Sequence, residues 1–157
     1  MDDIAARKLH RRAQADFRWE GVECRPYKED PRALFKSVSR QILFSEPEMA
    51  AELRYFEVAP GGFSTLERHE HAHGVLVLRG RGLCLVGREV RQIGPHDLVT
   101  VPPMTWHQFR ADRNEPLGFL CMVNAERDKP QLPQPDDIAM LRKDAEVAAF
   151  LEDTRQP

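Results

Sequence analysis

From Leu34 to Asn124 the chain is cut every few residues by glycine or proline, and no stretch between the cuts carries the spacing of a long helix. Glu52–Val58 alternates: Leu53, Tyr55 and Glu57 fall on one face, Arg54, Phe56 and Val58 on the other, the two-residue period of a strand. Pro60-Gly61-Gly62 is expected to end it as a turn. Val75–Leu78 is a short apolar strand, followed by a turn at Gly80-Arg81-Gly82. Leu83–Val86, Gly87 and Glu89–Ile93 have the pattern of a hairpin. Leu98–Val101, Trp106–Arg110 and Leu117–Val123 are three more strands, and Leu34–Phe44 leans the same way. Short strands at this spacing bury their apolar faces by closing into an all-β antiparallel sandwich or barrel.

The flanks differ. Residues 2–18 predict a short, highly charged helix with Ile4, Leu9 and Ala13 as its apolar points. After a Pro-rich connector at 129–135, residues 136–151 predict one or two helices. Ile138, Leu141, Val147, Phe150 and Leu151 would then pack on the barrel or on a second subunit. The expected division is a segment 1–33, a barrel 34–124 and a helical tail 125–157, one domain at this length. Charge is nearly balanced, 23 basic against 25 acidic residues, which argues against a general affinity for nucleic acid or anionic membrane. No apolar run is long enough to cross a bilayer, and the start, Met1-Asp2-Asp3, lacks the apolar core of a signal peptide. Cys24, Cys84 and Cys121 are odd in number and far apart, as reduced thiols would be. A cytoplasmic protein acting on a small molecule or a protein partner is expected.

Three of six histidines fall within five residues, in Glu67-Arg68-His69-Glu70-His71-Ala72-His73, and His107 follows a Pro-Pro turn further on. Neutral imidazole is the commonest transition-metal ligand, and carboxylate is a good partner for manganese or iron. Residues two apart on a strand point the same way, so Glu67 and His69 can both face inward. His73 would enter from the next strand, and His107 from across the barrel. The competing reading is a polar surface loop rich in histidine. His10 and His96 read as a solvated residue and a turn residue.

These residues resemble the two motifs of the cupin superfamily. Gly62, Glu67-x-His69, His73 and Gly80 match the first motif; His96-Asp97, Pro102-Pro103-Met104 and His107 match the second. The resemblance implies a cupin jelly-roll β-barrel with short N-terminal and C-terminal helices. It also implies one divalent metal on Glu67, His69, His73 and His107. The ligand set suits manganese, iron, nickel, cobalt and zinc alike, and the narrower resemblance given below makes manganese the expected ion. Glu67 stands where the first histidine is usual, and His73 where many cupins have glutamate. His96 and Met104 replace glycines, and Ala111 replaces the usual asparagine. A rival frame built on His69-x-His71 puts Val75 or Leu76 at the third ligand position, and neither can bind metal. His71 is therefore expected in the turn, at the pocket rim or in solvent.

A narrower resemblance rests on Tyr55–Gly62, Ser64–His71, Pro103–Ala111, Leu117–Cys121 and Val123–Pro133. These stretches look like those of the bacterial 1-methylthio-xylulose 5-phosphate methylsulfurylases, manganese cupins of a methionine-salvage side route. That likeness implies removal of the methylthio group to give 1-deoxyxylulose 5-phosphate, with glutathione as thiol co-substrate. It makes Cys121, in the apolar strand Phe119–Val123, the candidate catalytic nucleophile, against the reading of a small core residue. A phosphorylated sugar needs cations, and Arg40, Arg54 and Arg110 are strand residues able to reach the mouth. Tyr55 and Glu57 are candidate proton donors if their face is the inward one. A cupin dioxygenase and a non-catalytic metabolite-binding cupin are the alternative functions. Cupins usually pair through sheet edges, so a homodimer is expected.

Overall fold

The computed structural model describes residues 9–27 and 36–153. Eleven strands and two helices are found among them: β1 (Ala13–Gln14), β2 (Arg18–Trp19), β3 (Cys24–Pro26), β4 (Lys36–Ser45), β5 (Ala51–Phe63), β6 (His73–Gly80), β7 (Gly82–Val86), β8 (Glu89–Ile93), β9 (Leu98–Val101), β10 (His107–Ala111), β11 (Leu117–Asn124), α1 (Pro135–Leu141) and α2 (Ala145–Asp153). The main sheet runs β8-β7-β10-β5-β11-β6-β9, with β4 on the other edge of β5 and β3 beyond it. All its pairings are antiparallel. The fold is the expected jelly roll, a curled antiparallel sheet. Val58, Val77, Val101 and Leu117, all fully buried, form its inner packing.

Pro60-Gly61-Gly62 does not end β5. Gly61, at φ +69°, turns a corner, and its N–H bonds to Asp112 O at 2.7 Å. The strand thereby leaves β11 and reaches β10, where Phe63 faces Arg110. The N-terminal expectation also changes, as far as the described residues go; residues 1–8, and Leu34 and Phe35 of the expected strand Leu34–Phe44, lie outside them. Residues 13–19 form a small hairpin rather than a helix, with Ala13 opposite Trp19 and Gln14 opposite Arg18. Asp16 and Phe17 turn it at φ 56° and 52°. Its payload is aromatic: Phe17 stacks on Tyr55 at 5.7 Å and Trp19 meets the same ring edge-on at 5.3 Å. Helix propensity is a weak preference that tertiary contacts override, and the packing of two large, partly buried rings on Tyr55 outweighs it here.

At the other end, α1 and α2 pack on the barrel through Leu141, Val147, Phe150 and Leu151, against Leu66 and Leu85. Asp137 caps the start of α1 by accepting from Gln134 N at 2.9 Å. Asp144 does the same for α2, accepting from Glu146 N and Val147 N. No helix of the described residues is long and apolar enough to cross a membrane.

Candidate metal centre

Three separate pieces of backbone deliver the histidines. His73 opens β6 and His107 opens β10, while His69 sits in the loop before β6. Glu67 and His107 form an isolated antiparallel bridge, Glu67 N to His107 O at 3.2 Å and His107 N to Glu67 O at 3.0 Å. Directly opposed residues share a face, so their side chains point into one cavity. The backbone of His69 is held by Met104 N, 2.7 Å from His69 O.

The ligand atoms of His69, His73 and His107 lie within 4.8 Å of one another. His69 and His107 are each 3% exposed. The outer ring nitrogens fix the inner ones. His69 Nδ1 lies 2.7 Å from His71 O, and His107 Nδ1 lies 2.9 Å from Thr105 O. A carbonyl only accepts, so both Nδ1 atoms carry the proton and both Nε2 lone pairs are left for a ligand. His73 Nε2 is 3.2 Å from His107 Nε2, and its Nδ1 is 2.9 Å from Cys121 Sγ. Burial first, then the charge of His107, His69 and His71, push His73 down to about 2. Burial pushes His107 down to about 4, against the hydrogen bond to Thr105. Both rings are therefore neutral at pH 7, the form that ligates. Convergent neutral imidazoles in a buried pocket fit a divalent cation, and the cluster can hold one. Glu67 Oε1 is 4.0 Å from His107 Nε2.

The rings line a cavity of about 250 Å³, bounded by Tyr27, Phe56, Phe109 and Phe119 on its apolar side. Cys121 belongs to this wall as well as to the core cluster. Burial pushes its thiol up to about 12, against the pull of Arg54 and Arg127. Cys84 is buried in the core away from the site, its thiol pushed up to about 11 by burial.

His71 is not in solvent: its side chain is 7% exposed and its ring lies flat on that of His69, 3.7 Å between centroids and 2° between planes. Its Nδ1 is 2.7 Å from Asp128 Oδ1, and Asp128 also accepts from Glu70 N at 2.7 Å. Those hydrogen bonds outweigh burial and hold the Asp128 carboxyl down at about 2. The connector after β11 thus folds back over the mouth, fastened further by the two-way bridge between Arg68 and Gln131. Of the three candidate arginines, Arg54 lines the cavity. Arg40 lies over Tyr27 and Arg110 over Phe150. Tyr55 and Glu57 face the other way: Tyr55 donates to Glu57 at 2.8 Å and Arg79 grips the same carboxylate, under the N-terminal hairpin. Arg127 and Asp128 went unnoticed as site residues in the sequence because a connector has no period that shows where it returns.

A barrel of this topology with converging histidines at its mouth defines a class, and residues 54–123 match the Cupin domain family. The chain belongs to the cupin family. It is 59% identical over 152 residues, 97% of each chain, to the 1-methylthio-D-xylulose 5-phosphate methylsulfurylase of Rhodospirillum rubrum. Among solved structures it is similar to a cupin 2 conserved barrel domain protein from Rhodopseudomonas palustris, with 57% identity and a TM-score of 0.85, covering 90% of this chain and 97% of that one. A cupin-2 domain protein from Rhodospirillum rubrum gives 60% identity and a TM-score of 0.83, covering 92% of this chain and 98% of that one.

Proposed function

We propose that this protein is a metal-dependent enzyme that cleaves the carbon–sulfur bond of 1-methylthio-xylulose 5-phosphate. The products are 1-deoxyxylulose 5-phosphate and a methylthio group passed to a thiol such as glutathione, in a side route of methionine salvage. The observation that carries the reading is Cys121 Sγ, 2.9 Å from His73 Nδ1, in the same cavity as the three imidazoles. The likeness to the Rhodospirillum rubrum methylsulfurylase supports it.

A thiolate attacks the methylthio sulfur. An S–S bond forms, the C1–S bond breaks, and the electron pair stays on the sugar as the C1–C2 enolate. C1 then takes a proton to become a methyl group. A second thiol frees Cys121 by disulfide exchange, and over the cycle the hydrogen of one thiol ends on C1. A divalent ion on Glu67, His69, His73 and His107, manganese in this proposal, would stabilise the developing oxyanion as a Lewis acid. The chain's own task is proton placement. With Nε2 of His73 used as a ligand, its Nδ1 must carry the proton and donate to Cys121 sulfur, which favours thiolate. Arg54 and Arg127 act in the same direction, against burial. The free cysteines suit a reducing cytoplasm.

The test is thiol-dependent turnover. Without thiol the reaction should stop once Cys121 is methylthiolated, and glutathione or dithiothreitol should restore it. Cys121→Ser is expected to cost on the order of 10³-fold in rate if Cys121 is the nucleophile. A much smaller loss would assign the attack to the external thiol. Absence of desulfurised sugar under every thiol condition would falsify this function.

A further inference from the structure

Bond cleavage at C1 engages the imidazoles and Cys121 and leaves the apolar side of the cavity without a task. Three strands build the cavity in two levels. Each places a polar or reactive side chain on its wall and a phenylalanine two residues along: Arg54 and Phe56 on β5, His107 and Phe109 on β10, Cys121 and Phe119 on β11. Residues two apart on a strand share a face and stand about 7 Å apart. The register aligns the levels between β5 and β11, with Cys121 opposite Arg54 and Phe119 opposite Phe56. The rings meet as one layer: between centroids, Phe119 lies 4.8 Å from Phe109 and 5.9 Å from Phe56.

The aromatic level is the inner one. Along β11 the wall residues run Val123, Cys121, Phe119 from the connector inward, so the rings lie one step beyond the sulfur as seen from the mouth. Phe109 and Phe119 are 3% and 5% exposed. Core packing accounts for that burial, but not for the cavity of about 250 Å³ that the same rings border. Protein interiors are close-packed, and space against apolar walls is poorly hydrated and takes apolar groups. The substrate carries one such group. A thioether whose sulfur meets Cys121 has its methyl within reach of the neighbouring level. Thioether sulfur itself gains from aromatic edges at about 5 Å.

We propose that Phe56, Phe109 and Phe119 form the pocket for the S-methyl group, and that this pocket selects substrates with a small apolar substituent on C1. The assignment rests on the carbon–sulfur cleavage proposed for this site and deepens it. The pocket also orients the reaction. Displacement at sulfur needs the attacking atom in line with the breaking bond. A methyl group seated among the rings fixes the rotation of the sulfur and leaves C1 on the side of the imidazoles. The product sugar has lost that group, and with it this contact, so it binds more weakly than the substrate.

Calorimetric titration of the metal-loaded protein tests this with three probes. The first is the carbon analogue of the substrate, with a methylene in place of sulfur, which cannot be cleaved. The second is 1-deoxyxylulose 5-phosphate, which has no substituent on C1. The third is methylthioacetone, a ketone with the methylthio group but neither sugar nor phosphate. The native protein should bind the carbon analogue at least about 10-fold more tightly than 1-deoxyxylulose 5-phosphate, since one methylene in an apolar pocket already contributes about that much. Phe56→Leu, at a half-buried position, and Phe119→Leu should each cut that preference about 3- to 10-fold, through lost ring contacts. Metal content and affinity for 1-deoxyxylulose 5-phosphate should stay as in the native protein. If the native protein binds both sugar phosphates alike, the pocket falls without recourse to a variant. A preference that both variants keep also overturns the pocket, while the substrate reading stands. If the native protein ignores both sugar phosphates but binds methylthioacetone in a way both variants weaken, the pocket stands and the substrate reading falls. Binding of no probe, or of methylthioacetone alone and unaltered in the variants, overturns both.

Discussion

His71 sits between two metal-site histidines in sequence, yet its ring nitrogen is committed to Asp128 and its face to His69. One metal per chain is expected, lost in His69→Ala and in His107→Ala and kept in His71→Ala. Elemental analysis that found metal lost with His71 and kept without Glu67 or His73 would reverse the ligand frame. Tyr55 is a different case, buried at 1% exposure far from that chemistry. Burial first, then its hydrogen bond to Glu57 and that carboxylate's charge, raise the phenol well above its ordinary value. A raised folded pKa means the neutral phenol's contribution is intact below the unfolded value of about 10 and is lost as pH climbs beyond it. Melting temperature should therefore fall steeply above pH 10. Tyr55→Phe should start about 1 kcal/mol less stable at pH 7, from the lost hydrogen bond, and show a shallower alkaline decline. An unchanged slope would remove Tyr55 from the alkaline transition.

The connector after β11 is the element that folds back over the barrel mouth and adds Arg127, Asp128 and Pro130 to the cavity wall. Asp128 holds Glu70 N and His71, and the carbonyl of His71 in turn fixes the His69 ring. Asp128→Ala removes that clasp without touching any of the three clustered rings of His69, His73 and His107. Groups that orient ligands typically contribute about 10- to 100-fold in metal affinity. Chelator competition should show a loss at the lower end of that range, with the barrel still folded by circular dichroism. Equal affinity in the variant would show that the clasp does not govern the centre. On the opposite side of β5, the strand β11 passes the Tyr55 hydroxyl because Gly118 has no side chain there; a Cβ would collide with that oxygen.

Among the described residues β3, β8 and β9 are the outer members of the main sheet, each paired on one edge. Phe44 and Met122, 45% and 58% exposed, lie in one cross-strand row through Leu53. Open edges and exposed apolar rows favour self-association unless covered. A homodimer is expected, and light scattering at micromolar concentration checks it; monomer alone would overturn the expectation.

What the sequence determined by itself was local. Two-residue alternation and the glycine and proline breaks placed the strands from β4 to β11 within a few residues, because strand period and turn chemistry are written in neighbouring positions. The histidine spacing marked the centre for the same reason. His96 and Met104, which stand where the second motif has glycines, adopt φ of 72° and 54°, a left-handed conformation that their side chains do not announce. Tertiary structure decided the rest. It made Pro60-Gly61-Gly62 a corner rather than an end, since only the position of β10 tells β5 where to go. It turned the charged N-terminal stretch into a hairpin through the waiting ring of Tyr55. It chose which face of β5 looks inward, Arg54 and Phe56 rather than Tyr55 and Glu57, and it brought Arg127 and Asp128 back to the mouth. Those outcomes depend on contacts between residues distant along the chain, and no periodicity in the sequence encodes such contacts.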